Sequence, residues 1–253
     1  IAGLGTVGRG VAQILSESRG GQQGLFLKSI LEREPEKGPA SEWHQKIPDT
    51  FVKNQEAILE DPEIRVIVET IGGTGFAKEF TLEALKRGKH VVTANKDLIA
   101  SHGSELCEMA QSQDRHYLFE AAVAGGISII KVIREGLAGN RINQLVGIIN
   151  GTCNHILTSM LESNKSFKSA LKDAQCRGFA EADPSFDIEG IDAGHKLAIL
   201  AAIGFGIPLQ FDKIHVEGIA DVTLEDVKYA AELGYRVKHL GIAQRTTAGI
   251  ELR

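Results

Sequence analysis

The first eight residues constrain this chain most. Ile1-Ala-Gly3-Leu-Gly5-Thr-Val-Gly8 matches G-x-G-x-x-G, opens on the apolar end of a strand and runs into Val11-Ala-Gln-Ile-Leu15 at helical spacing. In such a strand–turn–helix, Gly3 permits the tight turn, Gly5 lets the backbone approach a pyrophosphate, and Gly8 allows the helix to pack closely on the sheet. Free N–H groups at the helix start then suit a phosphate. A glycine-rich turn with no ligand would fit the same letters, but the flanking strand and helix favour the dinucleotide reading.

The αβ rhythm continues downstream. A strand over 65–70, a helix over 76–87, a strand over 90–93, a helix over 104–113 and a strand over 117–119 predict a parallel sheet with helices on both faces. A further strand over 28–33 ends in two residues that disagree about the cofactor. Glu32 suits the ribose hydroxyls of NAD, whereas Arg33 suits the 2′-phosphate of NADP. If Arg33 faces the ribose and Glu32 turns away, NADP is favoured. Residues 35–48 are polar and proline-punctuated, which predicts a loop with Trp43 partly exposed. Ligands of open α/β sheets bind outside the carboxyl ends of the strands, so Lys96, in the loop Ala94-Asn-Lys96, projects toward the cofactor crevice. A surface lysine at a helix start is the alternative, and it is disfavoured because cations are unfavourable there.

Beyond Val123 the pattern changes. Helices over 127–137, 154–161, 167–176, 187–203 and 223–233, with strands over 142–149 and 236–244, predict an α+β unit. The division is therefore 1–122, a nucleotide-binding domain, and 123–253, a substrate and dimerisation domain. Within the second part, Lys196 follows Asp192 by one turn on a helix continuing as Leu197-Ala-Ile-Leu-Ala-Ala-Ile203, so the lysine is expected to look into a cleft. An exposed i, i+4 ion pair, stabilising by about 0.3–0.5 kcal/mol, is the plainer alternative. Glu181, Asp183 and Asp187, gathered around Pro184 just upstream, are carboxylates suited to grip a cationic group beside a proton-donating amine. The chain opens within a strand and stops within a β-like segment at Arg253, so it is expected to be a fragment, truncated at the C-terminus.

Composition narrows the function. A net charge of −5, with no basic run interleaved with aromatics, argues against nucleic acid as a partner. The longest apolar run, Leu197 to Leu209, is short of the ~20 residues that span a bilayer. Cys107, Cys153 and Cys176 are widely spaced and no signal peptide is visible, which points to the cytoplasm. The histidines lack the spacing of transition-metal ligands.

Five motifs in order, Gly3-Leu-Gly-Thr-Val-Gly8, Val92-Thr-Ala-Asn-Lys96, Glu120-Ala-Ala-Val-Ala-Gly-Gly126, Asn150-Gly-Thr-Cys-Asn154 and Gly178-Phe-Ala-Glu-Ala-Asp-Pro184, followed by the helix carrying Asp192 and Lys196, resemble the homoserine dehydrogenases nearly end to end. The resemblance implies a Rossmann-type NAD(P)-binding domain followed by a catalytic domain. It also implies the reversible reduction of L-aspartate 4-semialdehyde to L-homoserine with NADP or NAD, on the route to threonine, methionine and isoleucine. By the same resemblance Lys196 is the proton donor and Lys96 orients substrate beside the nicotinamide. Glu181 and Asp192 bind the amino and hydroxyl ends of homoserine, and Asp187 assists. Leu4, Thr6, Val7, Lys96 and Gly178 contact the cofactor, with Arg33 a further candidate. Glu120, Val123, Gly125 and Ile127 match a sodium or potassium site built largely from carbonyl oxygens, which suit a hard cation. A homodimer or homotetramer is expected. Cys153 stands where the family often has threonine, and the family's last sheet strands and a glycine-rich segment lie beyond Arg253. Two rivals remain: another Rossmann oxidoreductase of amino acids or semialdehydes, such as an aspartate dehydrogenase, and a catalytically silent nucleotide sensor, which would need neither Lys96 nor Lys196.

Overall fold

The computed structural model describes residues 1–17 and 24–253. They form two compact units, residues 1–129 and residues 130–253. No helix among the described residues is long and apolar enough to cross a membrane.

The first unit is built on parallel strands: β1 (Ile30–Leu31), β2 (Phe51–Val52), β3 (Val66–Glu69), β4 (His90–Thr93) and β5 (Tyr117–Leu118). Ala2 joins the two halves of this sheet, bridging Leu31 on one side and Glu69 on the other. Counting the first two residues as a strand, the chain runs outward to β1 and β2 and then reverses to β3, β4 and β5. That is the doubly wound order, and the reversal falls where the glycine-rich turn leaves the sheet. The helices are α1 (Thr6–Ser16), α2 (Ser41–Lys46), α3 (Glu56–Leu59), α4 (Gly75–Lys86) and α5 (Lys96–Ser112).

Two segments depart from the expected pattern. Residues 35–48 are not an open loop: a 3-10 turn (Gly38–Ala40) leads into α2, because Trp43 and Ile47, four residues apart, pack with Phe51 on the cluster of Ile1, Leu4, Ala12 and Ile30. Burial of that apolar pair overrides the turn-forming letters around it. The helix expected at 104–113 starts at Lys96 instead, where the Asn95 side chain accepts the Leu98 N–H and caps it. The polar stretch Ser101-His-Gly-Ser104 hides this early start in the sequence.

The second unit carries an antiparallel sheet, β6 (Gln144–Gly147), β7 (Gly241–Arg245) and β8 (Ile250–Leu252), with Val146 opposite Ile242 and Gln244 opposite Glu251. Its helices are α6 (Gly151–Glu162), α7 (Phe167–Cys176), α8 (Ser185–Ile188), α9 (Ile191–Phe205) and α10 (Leu224–Glu232). Leu197, Ala201 and Phe205 of α9 pack with Ala243, Leu145 and Leu252 of the sheet. Cys153, Ile156 and Met160 of α6 pack with Ala170 and Ala174 of α7 and Val227 of α10. Val132–Gly136 forms a π-helical turn where an α-helix over 127–137 was expected.

The most consequential departure is at 187–203, which is not one helix. Gly190 adopts φ 82° and separates α8 from α9. Glycine is required twice over at this point. The left-handed conformation disfavours a side chain, and a Cβ would sit 2.9 Å from the Glu217 carbonyl oxygen. In an unbroken helix Asp187 and Asp192, five residues apart, would point about 140° away from each other. The break is what lets them meet.

Candidate functional site

In the first unit, the turn after Ala2 packs against the loop that follows β3. A Cβ on Gly8 would lie 2.1 Å from the Gly3 carbonyl oxygen and 2.8 Å from Thr70 Oγ1, so only glycine lets α1 come this close to the sheet. The Thr70 hydroxyl donates to the Gly3 carbonyl at 2.7 Å and fixes the turn from the other side. Leu4 is buried, whereas Gly5, Thr6 and Val7 are exposed. Gly5 is the N-cap of α1 with no side chain capping the helix, and a Cβ there would meet nothing within 4 Å. The first N–H groups of α1 thus begin at open space, which fits the phosphates of a dinucleotide.

Glu32 does not turn away from this turn. Its Oε2 accepts the Leu4 N–H at 3.0 Å and its Oε1 accepts the Arg33 N–H at 2.9 Å, while the Arg33 side chain is exposed. Of the two rivals at the end of β1, the carboxylate is the one tied into the glycine turn.

The loops after β3 and β4 are joined through a buried carboxylate that sequence reasoning passed over. Glu69 is fully buried; one oxygen accepts the Thr93 hydroxyl at 2.5 Å and the other the Ile71 N–H at 2.8 Å. Thr93 Oγ1 in turn accepts the Asn95 N–H at 2.9 Å, and Asn95 Nδ2 donates to the Gly73 carbonyl at 2.7 Å. Lys96, the first residue of α5, leaves this framework with its side chain a quarter exposed, 3.9 Å from the Asp97 carboxylate. Burial, together with the Glu69 and Cys107 charges, pushes the Tyr117 hydroxyl well above the ordinary tyrosine range. Farther on, Glu120–Ala122 makes a 3-10 turn, and the chain bends through Ala124 (φ 52°) and Gly126 (φ 85°) before Ile127.

In the second unit, three expected site residues come together around one that was not expected to be part of the site. Lys196 Nζ lies 2.6 Å from Asp192 Oδ2 and donates to the Ile149 carbonyl at 3.0 Å. Asn150, 2% exposed, donates through Nδ2 to Asp187 Oδ1 at 2.7 Å and to Asp192 Oδ2 at 2.8 Å. Its Oδ1 accepts the Cys153 N–H and caps α6. The lysine is therefore neither a surface ion pair nor sealed in the core: Asp192 is 7% exposed and Lys196 21%. The Cys153 thiol donates to the Asp187 carbonyl oxygen, and burial beside Asp187 and Asp192 pushes it up to about 12. Glu181 is exposed, its carbonyl oxygen held by Gln175 Nε2 at 3.1 Å, and Gly178 takes φ 76° just past the end of α7. Asn150 was legible only as the first letter of a motif. An asparagine at a helix N-cap reads as a cap, and nothing in the spacing says that its amide faces two carboxylates.

Comparison with known proteins decides the family. Residues 3–120 match the model for the NAD binding domain of homoserine dehydrogenase, and residues 129–253 match the model for homoserine dehydrogenase itself. The chain belongs to the homoserine dehydrogenase family. The Pseudomonas aeruginosa homoserine dehydrogenase is 52% identical over all of this chain, which spans 58% of that protein. The crystal structure of a homoserine dehydrogenase from Thiobacillus denitrificans superposes with a TM-score of 0.91 at 48% identity, over all of this chain and 59% of that one. A candidate homoserine dehydrogenase from Archaeoglobus fulgidus gives a TM-score of 0.85 at 32% identity, with 99% of this chain and 81% of that one covered. The doubly wound first unit and the α+β second unit are thus the nucleotide-binding and catalytic parts of a homoserine dehydrogenase fold.

Proposed function

We propose that this chain carries the hydride-transfer machinery of a homoserine dehydrogenase, reducing L-aspartate 4-semialdehyde to L-homoserine and running in reverse. The observation that carries the proposal is the Lys196 ammonium. Two of its three N–H donors are engaged by Asp192 and the Ile149 carbonyl, and the third is left for a substrate oxygen. A bound nicotinamide dinucleotide supplies or accepts the hydride at the carbonyl carbon. Lys196 protonates the oxygen as negative charge develops on it and takes the proton back in the oxidation direction. Asp192 holds the ammonium in place and accepts from the substrate hydroxyl. Glu181, exposed before α8, binds the substrate ammonium, with Asp187 assisting.

In the first unit the Gly3–Gly8 turn with Leu4, Thr6 and Val7 holds the dinucleotide, and Glu32 reads the ribose hydroxyls, with Arg33 available to a 2′-phosphate. Lys96 orients the substrate carbonyl and adds positive charge near it. Glu120, with the carbonyls of Val123, Gly125 and Ile127, offers the oxygen donors that a sodium or potassium ion takes. The exposed apolar residues Val146 and Ile148 in and beside β6 suit pairing with a second copy in a homodimer or homotetramer. A cytoplasmic setting keeps the cysteines reduced.

The test is the full-length protein incubated with NADH or NADPH and either L-aspartate 4-semialdehyde or oxaloacetate with ammonia. Oxidation of the nicotinamide with the semialdehyde, and homoserine as product, is the expected result. Turnover only with oxaloacetate and ammonia would make it an aspartate dehydrogenase, and turnover with neither would leave a nucleotide-binding protein.

A further inference from the structure

The side chains around Lys196 pose a problem of placement. Two carboxylates, Asp187 and Asp192, accept from a single nitrogen, Nδ2 of Asn150, and the second also pairs with the Lys196 ammonium. Like charges this close repel, so a neutral donor between them is needed to hold both in place. Without that donor Asp192 could turn, and the lysine would lose the partner that orients it. The neutral group that meets both carboxylates is the Asn150 amide, which has two N–H donors and gives one to each.

We propose that Asn150 is the positioning residue of this cluster: its carboxamide, fixed by capping α6, shares its two donors between Asp187 and Asp192 so that both carboxylates are held in place around the Lys196 ammonium. The inference deepens the proposed reaction and rests on it for the meaning of the proton. The Asn150 amide cannot rotate away, because Oδ1 holds the Cys153 N–H at 2.8 Å while Nδ2 spans the two aspartates. The peptide that precedes it supplies the Ile149 carbonyl that takes the second N–H of Lys196 at 3.0 Å, so one turn of chain between β6 and α6 sets both charges. Asn154, one turn along α6, donates to the Asn150 carbonyl and to the His239 carbonyl, each at 2.9 Å, and holds that turn in place. The other titratable groups around the cluster are the Cys153 thiol on α6, bonded to the Asp187 carbonyl, and His195 on α9, which packs edge-on to Phe186 and Phe211.

Two substitutions separate this role from helix capping. Serine and aspartate cap helices about as well as asparagine. Asn150→Ser keeps an acceptor for α6 but is too short to bridge the aspartates; Asn150→Asp keeps the shape but removes both donors and adds negative charge. Acetylation of Lys196, followed by mass spectrometry across pH in the full-length protein, reads the ammonium directly and needs no turnover. We expect labelling of Lys196 at a fixed pH to slow by about tenfold in Asn150→Asp, which adds a carboxylate beside the ammonium, and to quicken in Asn150→Ser, which releases Asp192 from it. The acid limb of kcat/KM for homoserine oxidation should move with the labelling, to higher pH in Asn150→Asp and to lower pH in Asn150→Ser. Labelling curves and acid limbs that coincide with wild type in both variants would reduce Asn150 to a helix cap and overturn the proposal, leaving the dehydrogenase reading intact. Shifted labelling in a protein that turns over no semialdehyde would do the reverse, supporting the role of Asn150 and removing the reaction.

Discussion

The glycine turn of the first unit and the Asn150 cluster of the second are made by opposite means. The turn works by omission: Gly8 has no side chain where one would strike the Gly3 carbonyl, and the space beside Gly5 is open. The cluster works by saturation, with Asn150, Asp192 and Lys196 each holding two or more hydrogen bonds. A site made of backbone and empty space is damaged by adding atoms, and a site made of side chains is damaged by removing them. The first kind of damage should be read in cofactor binding, the second in substrate binding and proton transfer.

The largest effect is expected from Lys196→Met, which keeps the length of the side chain and removes its proton. Turnover should fall by at least ~100-fold, the lower range for acid–base catalysis, with the dissociation constant of the nicotinamide cofactor near wild type. A rate within a few-fold of wild type would dissolve the proposed role of the cluster. Glu181→Gln keeps a hydrogen-bonding group but loses its charge, so homoserine affinity measured with cofactor present should weaken by about 1.5–3 kcal/mol. Unchanged affinity would place the substrate ammonium elsewhere.

Gly8→Ala probes the other side of the comparison. The added methyl meets backbone rather than a yielding side chain, and overpacking of this kind costs about 1–3 kcal/mol. Both cofactor affinity and the stability of the first unit should drop, and acetylation of Lys196 should be unaltered. Loss of Lys196 reactivity in this variant would break the separation drawn here. Smaller again is Glu32→Gln. The amide can still accept the Leu4 N–H but reads ribose hydroxyls less well, so NADH binding should weaken by about 1 kcal/mol relative to NADPH. A selective loss of NADPH binding in Arg33→Ala instead would return the choice to the arginine.

The smallest expected effect is on stability in alkali. Cys153 is held near 12, above its unfolded value, so its contribution to stability is fully present below about pH 9 and is lost as pH rises from there toward 12. Cys153→Ser, measured by denaturation at pH 8 and pH 10.5, should show a shallower decline than wild type. An equal decline would show that other groups govern the alkaline limb.

The two sites also differ in how far the sequence exposes them. The glycine spacing and the strand–helix alternation are local patterns, set by steric limits within a few residues, and the sheet order follows from them with little else. The second site depends on contacts between residues far apart in sequence. Asp192 and Lys196 are visible as one turn of a helix, but that Asp187 joins them depends on the left-handed Gly190, which reads in sequence as one more glycine. Asn150 lies about forty residues upstream of both. Glu69 is hard to see for the opposite reason: its strand reads as plainly apolar, and the one carboxylate within it proves to be fully buried. The helix α2 was hidden because its apolar pair is embedded among prolines and charges, and only packing on the first unit's core reveals it.

The Glu69 framework changes how the loops after β3 and β4 behave in time. The N–H groups of Ile71, Asn95 and Leu98 bond to side chains of Glu69, Thr93 and Asn95 instead of to a neighbouring strand or an earlier helical turn, and all three of those residues are themselves buried within the same chain of bonds. Loop amides ordinarily exchange with solvent by small local openings. Here no single opening frees one of them without disturbing the next, so the loops after β3 and β4 should exchange their hydrogens on the slow clock of the strands they follow, and Lys96 should keep its place between one turnover and the next.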